Sequence, residues 1–232
     1  EGSEGGFYVQ TITGKYSGEV NISGRPHGEG TYILDWSQFR GKLVVTEYRG
    51  GWKDGHFHGK GVVHYSNGDV YEGDFVTEKH LEYPTWRTGV MEGVGSMNYS
   101  NGDVYDGDWK GGLPYGNGMM SFSEGGSYTG DWYQGRFMGQ KWPYRGHGVM
   151  EYSNGDVYIG QFCDNRRHGK GTLETSCGSV MKGHWHRGKF ETRWSGVNTA
   201  NYTTGHSYEG EFKGGRFHGM GVLKYPNGDI YE

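Results

Sequence analysis

The sequence predicts an all-β fold class: an elongated, single-layer, twisted antiparallel ribbon of tandem β-hairpins. Three observations predict it. A unit of about 23 residues recurs along the 232-residue chain, and a fixed period of that length marks a repeat architecture. Ser-Asn-Gly-Asp recurs at 66–69, 100–103 and 153–156, with Pro-Asn-Gly-Asp at 226–229. Asn-Gly between alternating segments marks a tight turn, because the pair tolerates positive φ. Composition excludes a thick core: 47 Gly stand against only 32% hydrophobic residues, where ordinary domains have about 7% Gly and about 45–50% apolar residues. Aromatics at 16% exclude disorder, which depletes them.

Unit starts fall at Tyr16, Tyr48, Tyr71, Tyr105, Tyr128, Tyr158, Met181 and Tyr208. Residues 1–15 are a lead-in, 16–230 the eight repeats, and 231–232 the start of a truncated ninth. That ending predicts a segment of a longer chain. In the Tyr48 unit, alternation sets Tyr48, Gly50 and Trp52 on one face and Arg49 and Gly51 on the other. Its second strand sets Gly61, Val63 and Tyr65 against Val62 and His64. Side by side, sixteen such strands would extend roughly 75 Å.

The pattern Y-x-G-x-W-x-x-G-x-x-H-G-x-G resembles the MORN repeat family over nearly the whole chain, and the Tyr48 and Tyr208 units match every marked position. Other units depart. Met181 replaces the opening Tyr of its unit and Asn198 the last Gly, while Glu92, Tyr115, Arg145 and Ser195 stand at the His position. The resemblance implies a non-enzymatic scaffold that binds proteins in ciliary, flagellar, sperm or cytoskeletal assemblies. Membrane or phosphoinositide attachment is the alternative. So is a regulatory array within a larger protein that carries a kinase, exchange-factor, methyltransferase or ankyrin–MYND segment.

Two surfaces are candidate partner sites. The first is a groove of aromatic columns separated by glycine troughs: Tyr48, Trp52, Tyr71, Phe75, Tyr105, Trp109, Tyr128, Trp132, Tyr158, Phe162, Trp185, Tyr208 and Phe212. These rings either pack rung against rung or accept an extended or helical partner; the second reading is the expectation. The other surface comes from alternate spacing. Unit starts are separated by 32, 23, 34, 23, 30, 23, 27 and 23 residues, so every second unit is enlarged. In units three, five and seven the extra residues enter between the two strands, which predicts a row of loops at the hairpin tips about 20 Å apart. They carry Tyr83, Trp86 and Arg87; Trp142, Tyr144 and Arg145; and Phe190, Arg193 and Trp194. Trp, Tyr and Arg dominate binding hot spots, although such loops could instead fold back over the aromatic face.

Catalytic and cofactor chemistry finds no foothold, and none is expected. His56 with His58, and His184 with His186, have a metal-compatible H-x-H spacing, and Cys163, Cys177 and His168 share one unit. Zinc needs a closed tetrahedral set, and a column of turn histidines (His27, His58, His168, His218) about 10 Å apart does not supply one. The Gly-rich strings lack phosphate-loop spacing. Glu72, Asp74, Asp106, Asp108 and Glu209 recur in register, which reads as a solvated acidic stripe rather than a glycosidase pair. Net charge of −4 without a long basic run argues against nucleic acid and, more weakly, against an anionic membrane. Two cysteines make no disulfide framework, so a reducing, cytoplasmic compartment is expected.

Overall fold

The computed structural model describes residues 14–35, 43–77, 89–134, 136–137, 146–191 and 198–232. The chain divides into two units, Glu1–Pro114 and Tyr115–Glu232. Among the described residues there are nineteen strands and no helix.

The first unit holds β1 (Gly14–Val20), β2 (Pro26–Leu34), β3 (Val45–Lys53), β4 (His56–Tyr65), β5 (Val70–Val76), β6 (Val90–Asn98) and β7 (Val104–Lys110). Each strand pairs antiparallel with the next in sequence. The second unit runs through most of β8 (Leu113–Ser121), then β9 (Gly126–Tyr133), β10 (Arg136–Phe137), β11 (Gly146–Tyr152), β12 (Val157–Cys163) and β13 (Arg166–Glu174). It ends with β14 (Val180–His186), β15 (Lys189–Phe190), β16 (Asn198–Asn201), β17 (Ser207–Lys213), β18 (Arg216–Lys224) and β19 (Ile230–Tyr231). The fold is all-β, built of consecutive antiparallel hairpins.

Two kinds of turn close the hairpins. At one end Asp54–Gly55, Asp164–Asn165, Arg187–Gly188 and Gly214–Gly215 all have positive φ. A two-residue loop with both central residues at positive φ is a type I′ turn, whose twist matches that of the strands it joins. The Asn-Gly turns lie at the other end and differ from the tight turn expected there. In the first of them only Gly68 is left-handed (φ 94°). Its amide donates to the Tyr65 carbonyl at 3.0 Å, the Tyr65 amide donates to the Asp69 carbonyl, and Asn67 Oδ1 accepts the Asp69 amide. Neighbouring turns are stitched together. Asp69 Oδ1 accepts the Ser100 amide at 2.8 Å, and Asp156 Oδ1 accepts that of Ser176 at 2.8 Å. The Ser176 amide, with the Asn154 side chain, holds the Asp156 carboxyl below the usual carboxylate range.

The regular hairpins share a bulge at one point. Gly50 faces Gly61 and Trp52 faces Phe57, so that Gly51 alone opposes His58–Gly59–Lys60. The second-strand glycine at this point is left-handed in Gly28, Gly59, Gly93, Gly169 and Gly219 (φ 62–78°). The bulge corrects the placement of the insertions. In the third hairpin β5 and β6 pair out to Val76 and Val90, so its insertion does extend the tip. In the fifth and seventh the tip is already closed: Trp132 pairs Phe137 and Trp185 pairs Phe190. The second strand is then interrupted and resumes at Gly148 opposite Gly130 and at Thr199 opposite Lys182. Those two insertions leave from the stretch where regular units carry the bulge.

Candidate functional site

The aromatic columns follow from a Tyr lying flat over glycines. A Cβ at Gly61 would sit 2.4 Å from the Tyr48 hydroxyl oxygen, and one at Gly95 2.4 Å from that of Tyr71. Only glycine leaves room for the ring. Each hydroxyl then donates to the carbonyl three residues on, at the register shift: Tyr48 to Gly51 (2.8 Å), Tyr71 to Asp74 (3.1 Å), Tyr128 to Asp131 (3.0 Å), Tyr158 to Gln161 (3.1 Å). Trp indole N–H groups reach back to the preceding hairpin, Trp52 to Gly30 and Trp109 to Gly95. Edge-to-face contacts link the rings from hairpin to hairpin. Tyr48 meets Trp52 of its own strand and Phe75 of the next hairpin, both at 5.3 Å, and Tyr71 meets Trp109 of the next at 5.0 Å. In the second unit Tyr128 meets Phe162 at 5.1 Å and Tyr158 meets Trp185 at 5.3 Å. Such pairs contribute about 0.5–1.5 kcal/mol each beyond burial.

This packing changes the role of the thirteen residues read as a groove. All of them are buried, Tyr48, Tyr71, Tyr105, Tyr128 and Tyr158 completely, and the most exposed, Tyr208, is 6% accessible. They form the core. Among the alternatives read from the sequence, the rings pack rung against rung, and their faces are spent on one another. Burial also pushes the Tyr48, Tyr71, Tyr128 and Tyr158 phenols well above the ordinary tyrosine range, and Tyr65 up to about 12.

Of the insertion residues, Tyr83, Trp86, Arg87, Trp142, Tyr144, Arg145, Arg193 and Trp194 lie outside the described residues. Phe190 is described and is 2% exposed. It stands opposite Trp185 as Phe57 stands opposite Trp52, so it is a core ring rather than part of a loop. Its role is larger here than in other units. Met181 brings no ring, and Phe190 carries the contact onward, at 5.0 Å from Trp185 and 4.6 Å from Phe212. The space a Tyr ring would fill over Gly183 is taken by Asn198: a Cβ at Gly183 would lie 2.2 Å from Asn198 Oδ1. That oxygen accepts the His184 amide at 3.0 Å. The two departures from the repeat pattern thus compensate each other across one strand pair.

The exposed surface is the opposite face of the sheets. In the first unit, register sets Thr31, Arg49, Val62, Glu72, Ser96 and Asp106 in one cross-strand row. In the second, Val149, Ile159, Thr172, Lys182 and Thr199 form the equivalent row. Acidic residues of the expected stripe fall into two sorts. Those three after the Tyr are engaged at the bulge: Asp74 Oδ2 accepts the Val94 amide and Asp131 Oδ2 that of His147, a place filled by Gln161 toward Lys170. Those directly after the Tyr, Glu72 and Asp106, point outward and have no ion pair among the described residues. They border a trough of about 420 Å³ with Val62, Val94, Ser96 and Lys60, over the bare backbone of Gly61, Gly73 and Gly95.

Of the histidine column, His58 Nδ1 lies 3.3 Å from Thr77 Oγ1 and His27 Nδ1 3.6 Å from Asp54 Oδ1, each a side chain of the next rung. No group of three or more His, Cys, Asp or Glu able to hold a metal occurs among the described residues. Both cysteines are free. The Thr175 hydroxyl, at 3.1 Å, is the main cause that holds the exposed Cys177 thiol down at about 7, while burial raises Cys163. Arg167 takes the place that Phe57 has in its hairpin, and sits 4.3 Å over the Trp185 ring.

Comparison with solved structures finds distant likenesses. The TCP domain of SAS-4 (dCPAP) of Drosophila melanogaster, in complex with a proline-rich motif of Ana2 (dSTIL), is 15% identical, with a TM-score of 0.41, over 75% of this chain and 82% of that one. The TCP10 domain of Danio rerio CPAP is 12% identical, with a TM-score of 0.36, over 92% and 91%. No curated protein sequence matches the chain. The MORN repeat pattern does, at residues 16–36, 48–70, 85–104, 105–127, 128–140, 144–157, 158–176 and 208–230, passing over the Met181 hairpin. Matched at eight positions that together span more than half its length, the chain belongs to the MORN repeat family.

Proposed function

We propose that this chain is a non-enzymatic scaffold that binds a protein partner, in the cytoplasm and in a ciliary, flagellar or other cytoskeletal assembly. One observation carries the reading: the aromatic rings are consumed internally, while each hairpin presents a register-matched row of exposed side chains on the other face. Repeat arrays use such continuous rows as extended binding surfaces. The outer face supplies contact area in this proposal. The insertions, with Trp86, Trp142 and Trp194, supply selectivity between partners.

The experiment is a pull-down from ciliated tissue with the wild-type chain and with a Trp86→Ala/Trp142→Ala/Trp194→Ala variant whose circular dichroism is unchanged. The expected result is a defined set of proteins lost or reshuffled in the variant. Recovery of nothing beyond a heat-denatured control would sink the scaffold reading, and an unchanged set would remove the insertions from it. Sedimentation with vesicles containing phosphatidylinositol phosphates runs in parallel. Among the described residues no helix is long and apolar enough to cross a membrane. Salt-sensitive vesicle binding without protein capture would replace the scaffold by the membrane alternative.

A further inference from the structure

We infer that the outer trough of the first unit is a docking site for an extended basic segment of a protein. The inference rests on the scaffold reading and names the surface and the chemistry of its partner.

The trough has three properties that a partner must answer. Its floor is backbone, because the core-facing glycines Gly61, Gly73 and Gly95 put no side chain on the outer face. An incoming chain can therefore approach the sheet closely. Its walls are Val62, partly exposed, and Val94, 59% exposed. These side chains, on β4 and β6, keep apolar surface open to a partner. Two carboxylates stand in it. Glu72 pairs with Ser96 across β5–β6 and Ser96 pairs with Asp106 across β6–β7, so the acids stand two strand spacings apart, roughly 9.6 Å.

Charge decides the sign of the occupant. Lys60, the one cation lining the trough, is already bound to Asp74 at 3.0 Å. Asp74 in turn is engaged with the Val94 amide. Glu72 and Asp106 thus face outward without an ion pair among the described residues, on either side of Ser96, with Val62 beyond Glu72 in the same row. A complementary chain carries two basic groups about 10 Å apart, with small residues between them over Ser96 and the glycine backbone. In an extended left-handed chain that rises about 3.1 Å per residue, residues three apart lie on one side and about 9.3 Å from each other. The match is a segment with Arg or Lys at every third position, laid across β5, β6 and β7. Arg fits better than Lys, since its fork grips a carboxylate in two places.

The probe is a synthetic peptide of about twelve residues with Arg at every third position and Ala and Pro between, read by fluorescence anisotropy on the whole chain. Its Glu-for-Arg counterpart is the control. The expected result is binding by the Arg peptide alone, weakened at least tenfold by Glu72→Gln/Asp106→Asn and by raised salt, and unchanged by Glu124→Gln in an exposed turn of the second unit. Methyl resonances of Val62 and Val94 shift on binding. Equal binding of both peptides, or of the wild type and the double variant, overturns the site. The failures separate: if the double variant still recovers the wild-type set of proteins in the pull-down, the trough falls and the scaffold stands. If the wild type recovers none, the scaffold reading falls first.

Discussion

A buried Tyr and the glycines beneath it act as one part. Tyr48→Phe removes a hydroxyl donated to the Gly51 carbonyl at 2.8 Å and should cost about 1 kcal/mol. Gly61→Ala drives a methyl against the same ring and should cost more, about 1–3 kcal/mol, the range for overpacking. Urea melts of the two variants check the order; the reverse ranking would mean the ring can move aside. The Met181 hairpin gives a sharper test. Met181→Tyr places a ring where Asn198 already lies, and Asn198→Gly leaves that place empty. Each single change should destabilise, and the double variant should recover most of the loss, with a coupling of about 1–3 kcal/mol. Additive losses would show that the two departures are unrelated. The sequence marks both residues as irregular; that one compensates the other is invisible without knowing which strands face each other.

At the level of the hairpin, the turns carry the registration between repeats. Removal of the Asp69 carboxylate, which accepts the Ser100 amide across adjacent turns, should lower stability by roughly 1–2 kcal/mol in Asp69→Ala. Thermal melts would measure it, and an unchanged midpoint would show that the ladder alone sets the register. Much of the hairpin was legible. The period, the strand alternation and the turn regions all come from local composition, which is where β-hairpins encode themselves. The bulge was less so. It depends on His58–Gly59–Lys60 opposing one residue, a relation between two strands that one strand's pattern does not display. For the same reason Phe190 read as part of a loop: its pairing with Trp185 across a two-residue strand lies beyond any alternation signal. The groove was misassigned on a physical point. Glycine next to aromatics looks like an open trough in sequence, but here the glycine is the seat of the ring.

Across the whole molecule, stability is distributed over a series of neutral buried phenols. Tyr48, Tyr71, Tyr128 and Tyr158 titrate far above the ordinary value, chiefly through burial, whereas in an unfolded chain they ionise near about pH 10. Their contribution is therefore whole below about pH 10 and is lost as the pH climbs toward the folded values. Alkaline unfolding should begin above that point, with tyrosinate absorbance and loss of β-sheet signal rising together. Ionisation of all the tyrosines at an ordinary pH with the sheet intact would contradict it. The interrupted strands of the fifth and seventh hairpins bear on a different matter. Between Phe190 and Asn198 the chain departs after a closed tip, and the strand beyond it resumes in step with the same partner. Register on either side is fixed independently of what lies between. The array can therefore accept new sequence there, in kind or in length, without any strand slipping by a residue: a port through which evolution, or an engineer grafting a foreign epitope, can change what the protein displays while its frame stays put.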